Sequence, residues 1–143
     1  MDPDLSLKDD PTIPDSEGLF RAVHQSHLLP GKTVSTAAFK SRSGGENHHT
    51  SVDIASLTRP EDTLKRLPNS VGVVKLLTGA VREIRPGVVG VSRDPVFESK
   101  SKAANPAHAI IIRELRPNRV YDEAAHKLAG LCEWVIDPAD SQA

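Results

Sequence analysis

Six histidines and one cysteine hold most of the reactive chemistry in a chain of 143 residues with five aromatic rings. Imidazole changes charge near neutral pH, so a histidine can pass a proton in either direction. His24 and His27 form an H-x-x-H pair, and His108 closes the run Asn105-Pro106-Ala107-His108. Arg21 lies three residues before His24 and could stabilise a developing anion. The sharpest chemical expectation joins Arg21, His24 and His108 as acid, base and anion holder on a nucleotide or phosphodiester. Ser35, Asp53 and Asn105 are the candidate ligand-binding residues beside them. That chemistry needs the three catalytic candidates within about 8 Å in one cleft, because each must come within hydrogen-bond reach of the substrate. The plainer alternative is a solvated or ion-paired Arg21 and histidines that cap turns.

Other chemistries find less support. A metal site would need about three of the histidines, or Asp53 or Asp94, to converge from separate strands, and no spacing forces that; no metal is expected. Gly31-Lys32-Thr33 invites a phosphate loop, but position 26 is Ser where the motif requires Gly, and a β-branched run follows instead of a helix. There is no G-x-S-x-G, H-E-x-x-H or calcium-loop pattern, and no cofactor is expected. Cys132 is the sole cysteine, so an intrachain disulfide and a Cys-rich zinc site are excluded. Its place in the apolar sector of the last helix predicts a buried structural thiol, with Trp134 covering the edge of that helix.

Arg21 on a first strand, the following run Thr33-Val34-Ser35-Thr36 and a later acidic group loosely resemble small ADP-ribosyltransferase-type folds, including the RES class. The resemblance covers residues 19–54. It implies that Arg21 holds a phosphate of NAD. The Gly-Arg-Phe/Trp-Asn stretch that RES proteins carry after the first strand is missing here, and no Glu stands where a catalytic carboxylate would be assigned.

The elements that must position these residues follow from pattern. Residues 19–24 alternate and read as a first strand; residues 33–39, β-branched and then aromatic, read as a second. Residues 27–32 make a turn on Pro30-Gly31. Residues 41–49, polar with paired glycines, make a surface loop, and residues 51–54 a short strand. Thr58 and Glu61 form a capping box, with Pro60 in the first turn, for a short helix near 59–66. Residues 71–77 and 88–91 read as strands. Residues 78–85 are open between a helical turn and a hairpin. Residues 109–115 form the most apolar run and read as a central strand. Val120, Ala124, Leu128, Leu131 and Val135 share one face of a final helix that Asn118 caps. The expectation is α+β: five or six short, mostly antiparallel strands, one main C-terminal helix packed on the sheet, and the short helix near 59–66.

Eighteen Lys and Arg stand against nineteen Asp and Glu, a net charge of −1. The balance hides an asymmetry. Residues 1–17 carry six acids against Lys8, or −5, which leaves +4 on the other 126 residues. The domain expectation is an acidic, disordered or extended arm over 1–17, one domain over 18–138 and a tail over 139–143. A body charge of +4 is too modest for nucleic acid as the main partner. No apolar run approaches the roughly 18 residues of a membrane span, and residues 1–17 lack the apolar core of a signal peptide. The functional expectation is a soluble, cytoplasmic module that binds a protein partner as an accessory or regulatory subunit. The alternative is the small enzyme built on Arg21, His24 and His108.

Overall fold

The computed structural model describes residues 8–40, 49–100, 103–114 and 117–138. Apolar alternation builds the main sheet. Strand β1 (Gly18–His24) sends Leu19 and Val23 to one face; β4 (Thr50–Ile54) sends Val52 and Ile54 to the same side. Two further hairpin partners, β2 (Leu28–Leu29) and β3 (Thr33–Val34), stand apart as a two-stranded ribbon. The remaining strands are β5 (Ser70–Leu77), β6 (Val88–Arg93), β7 (His108–Arg113) and β8 (Glu133–Ile136). They join in the order β6-β7-β4-β1-β5-β8, with every neighbouring pair antiparallel. Helices α1 (Pro60–Arg66), α2 (Thr78–Arg82) and α3 (Asn118–Leu131) complete the α+β fold.

The core lies between the sheet and α3. Ala124, Ala125 and Leu128 of α3 meet Leu19, Val23, Val74 and Ile111, with Phe39 fully buried among them. On the other face α1 packs over β1 and β5.

Several local expectations are corrected. The second strand stops at Val34, because the Ser35 hydroxyl accepts the Ala37 amide and turns residues Thr36–Phe39 into a 3-10 turn. Local side-chain bonding of this kind competes with a strand ladder. No capping box forms at α1: Pro60 occupies the first turn, Arg59 becomes the N-cap, and Thr58 instead accepts from Arg66. Pro117, not Asn118, is the N-cap of α3, one residue from the expected position. The last helix ends at Leu131, and residues Glu133–Ile136 leave it as edge strand β8. Val135 is therefore exposed on a strand and plays no part in the helix stripe. Gly72 permits β8 to approach, since a Cβ there would stand 2.4 Å from the Ile136 carbonyl. Strand β7 is buried throughout its last five residues but lies second from the sheet edge rather than at its centre. The open stretch after β5 resolves into α2.

The folded unit begins before Gly18. Ile13 is 0% exposed and belongs to the core. Around it, Arg82 gathers the acids of the leader: Nε to Asp9 at 2.9 Å, Nη1 to Asp15 at 2.7 Å, and Nη2 to the Asp10 carbonyl at 2.8 Å. Asp10 donates its amide to the Val91 carbonyl, and the Asp9 carboxylate accepts the Val91 amide. Gly90 makes room, because a Cβ there would lie 2.4 Å from Asp9 Cβ. The charge asymmetry thus has a local cause: the acidic segment is bound to cations of its own domain. Residues 1–7, most of the loop expected at 41–49, and the tail 139–143 lie outside the described residues.

Candidate functional site

A pocket of about 170 Å³ opens on the α1 side of the sheet. Phe20 and Ala22 of β1, Ser51 and Asp53 of β4, and Thr63 and Arg66 of α1 line it, together with Asn105 and His108. Antiparallel register explains the assembly. Phe20 stands opposite Asp53, and Asp53 opposite His108, so the three share one sheet face on three adjacent strands.

Asp53 is the centre. It is only 5% exposed, and a buried carboxylate must be paired and hydrogen-bonded. Thr63 Oγ1 and Arg66 Nη1 each donate to Oδ2 at 2.7 Å, and Asn105 Nδ2 donates to Oδ1 at 2.9 Å. Asn105 Oδ1 in turn accepts the Ala107 amide at 3.2 Å. The Asp53–Arg66 pair cancels its own charge, so the pocket is polar and close to neutral. His108 Nδ1 faces two acceptors, the Asp94 carbonyl at 2.8 Å and the Asp94 carboxylate at 3.2 Å. It therefore carries the proton, and Nε2 is left as the basic nitrogen.

The candidate residues divide. Asp53, Asn105 and His108 come together. Arg21 contributes to the pocket wall, but its guanidinium is engaged with the protein: Nε and Nη2 donate to the Ala38 carbonyl at 2.9 and 2.6 Å, and Nη1 to the Ser51 carbonyl at 2.6 Å. Burial, helped by the nearby Arg113 cation, pulls Arg21 down to about 10, still charged at neutral pH. His24 is four residues along β1 from Phe20 and two strands from His108, roughly 16 Å away by strand geometry. It caps the next turn instead, its Nδ1 accepting the Ser26 amide at 3.1 Å. Ser35 is spent on the 3-10 turn. The single cleft expected for Arg21, His24 and His108 is not formed.

Thr63 and Arg66 escaped the sequence reading. Their i, i+3 spacing puts both on one helix face, but nothing local names Asp53 as what that face meets. Phe97 was also missed. It is 80% exposed, while Phe20 and Phe39 are buried. Its neighbour Val96 pairs with Asn105, which ties the base of that loop to the pocket. Cys132 is half-buried just past the end of α3, its thiol pushed up to about 11 by burial.

Among the described residues no cluster of three or more His, Cys, Asp or Glu could hold a metal ion, and no helix is long and apolar enough to cross a membrane. Comparison with known proteins gives no relative: no family model, no curated protein and no solved structure matches this chain.

Proposed function

We propose that the chain is a binding module for a protein partner, and that the Asp53–Asn105–His108 pocket receives one uncharged, hydrogen-bonding side chain of that partner. The observation that carries this reading is Phe97, 80% exposed beside a loop base pinned to the pocket by Val96 and Asn105. Aromatic side chains, Phe included, are enriched in the cores of protein interfaces. Size supports it: about 170 Å³ falls below the roughly 300–1,000 Å³ of small-molecule pockets, so a nucleotide would overfill it. Charge supports it too, because Arg66 already neutralises Asp53.

The test places a photo-crosslinking phenylalanine at position 97, and at Val135 as a control. A partner captured from position 97 alone should bind the wild-type chain with a measurable Kd. Phe97→Ala should weaken that binding about 30-fold, as expected for an anchor worth about 2 kcal/mol, with the melting temperature unchanged. Equal capture from both positions, or an unaltered Kd, refutes the reading.

A second reading draws on the Asp94–His108 contact. An imidazole held at Nδ1 presents Nε2 as a general base. A small phosphodiester-acting enzyme would then run on His108 with Asn105 and Arg66, without His24. His108→Gln should abolish any such hydrolysis; full activity in that variant removes the idea.

A further inference from the structure

The pocket beneath α1 keeps hydrogen-bonding capacity that its own network does not use, and that remainder has a pattern. His108 stands opposite Asp53 on the neighbouring strand. Ile54 donates its amide to the Ala107 carbonyl, so the bonds between β4 and the β7 side fall on Val52 and Ile54. Asp53 and His108 between them form a non-hydrogen-bonded pair, whose Cα atoms lie about 4.5 Å apart and whose side chains stand close. The imidazole gives Nδ1 to Asp94. Nε2 is the nitrogen left for a ligand, and it accepts.

The donors come from the other two members. Asn105 spends one Nδ2 hydrogen on Asp53 and its Oδ1 on the Ala107 amide, which leaves the second Nδ2 hydrogen. Arg66 spends Nη1 on Asp53 and Thr58, which leaves Nε and Nη2. A third of the Arg66 side chain is exposed, so a ligand can reach those groups. Phe20 and Leu67 add apolar wall to the same pocket. The pocket therefore offers donors from Asn105 and Arg66, an acceptor at His108 Nε2, and apolar surface beside them.

We propose that this pocket is a socket for a primary carboxamide, the end of an asparagine or glutamine side chain on the partner. The inference rests on the reading above, that a partner side chain enters here. A carboxylate has no hydrogen for Nε2 and would set a second negative charge beside Asp53. An ammonium group accepts nothing and would bring a second cation to Arg66. A hydroxyl has one hydrogen and one oxygen, so donor and acceptor sit on a single atom. A carboxamide separates them: its oxygen accepts from Asn105 and Arg66 while its NH2 donates to His108 Nε2. It is neutral, so it buries no unpaired charge. A pocket of about 170 Å³ suits one side-chain end, with the methylene stem against Phe20 and Leu67.

The experiment follows the His108 ring nitrogens and the Asn105 side-chain amide of the full nitrogen-15-labelled chain by NMR, in mildly alkaline buffer. Propionamide, propionate, propylammonium and n-propanol are titrated separately at constant ionic strength, into the tens of millimolar that so small a ligand needs. Propionamide should shift both groups saturably, with the larger movement at His108 Nε2. n-Propanol should bind at least about fivefold more weakly, the worth of one hydrogen bond. Neither ion should produce a saturable shift. No saturable response to propionamide, or an equal response to propanol or propionate, overturns the proposal. His108→Phe keeps a ring and removes the acceptor. It should weaken propionamide at least about fivefold as read at Asn105, and an unchanged response there also overturns the proposal. The wild-type series decides the matter even if the variant does not fold. The two readings fail separately: capture at position 97 without an amide response keeps the partner and removes the carboxamide, whereas an amide response without capture keeps the socket and removes the protein partner.

Discussion

Ile13→Ala tests whether the acidic leader is part of the domain. Ile13 is fully buried in the core beneath the Arg82 clasp. The substitution deletes three carbons, at about 0.8 kcal/mol each, or about 2.4 kcal/mol of transfer free energy. Core neighbours relax only partly into such a gap, so the remaining cavity raises the loss to about 3–4 kcal/mol. Folding stability of a domain this size is on the order of 5–15 kcal/mol, so the variant should still fold. Urea denaturation is the assay: the midpoint should fall with little change in slope. Ile13→Val, which removes one carbon, should cost about 1 kcal/mol. A loss below about 1 kcal/mol for the alanine variant would mean that the segment is not packed, and that the placement of the domain's first residues is wrong.

Four further outcomes follow from contacts already given. Arg82→Gln removes three contacts to the leader at once and should cost about 1–3 kcal/mol by urea denaturation, less at high salt because Asp15 is mostly exposed and its pair is screened. Asp10 is held below the ordinary 3.8 first by the Thr12 hydroxyl and then by the Thr12 amide. Its folded value is depressed, so its contribution is complete above about pH 4 and disappears as pH falls through the folded value; Asp10→Asn should flatten the acid limb of a stability–pH curve. Asp53→Asn strands Arg66 and should cost about 1–3 kcal/mol, toward the lower end because Arg66 is a third exposed. Leu128→Asp sets a charge in the fully buried centre of the α3 face, and its far-ultraviolet circular dichroism should show an unfolded chain.

How much of this was legible in the sequence depended on range. The α3 stripe from Val120 to Leu128 could be read because one helix face repeats within a few residues. So could the strands at 51–54, 71–77 and 88–91, whose apolar runs end at turn residues. Val135 misled, because helical spacing continues by coincidence from Leu131, the last residue of α3, into a strand that only β5 could reveal. Asp53, Asn105 and His108 are all candidates from sequence, but grouped with Arg21, His24 and Ser35 rather than with one another. Their meeting needs the β1–β4–β7 register, which no local signal encodes. Arg21 and His24 are close in sequence and were joined for that reason, yet Arg21 turns to Ala38 and His24 to Ser26. The leader was the subtlest case. Its composition resembles that of a solvated tail, and among its described residues Ile13 alone belongs to the core cluster.

The contact of Asp9 and Asp10 with Val91 also sets an arithmetic of association. A sheet with two free edges can add identical sheets without limit, since each addition exposes a fresh edge. Here the β6 side is occupied by the chain's own start, with a side-chain oxygen standing where a neighbour's carbonyl would be. A neighbouring strand cannot pair with β6 at Val91, whose amide and carbonyl are already taken. The same acids that make the leader look dispensable cover part of the β6 edge.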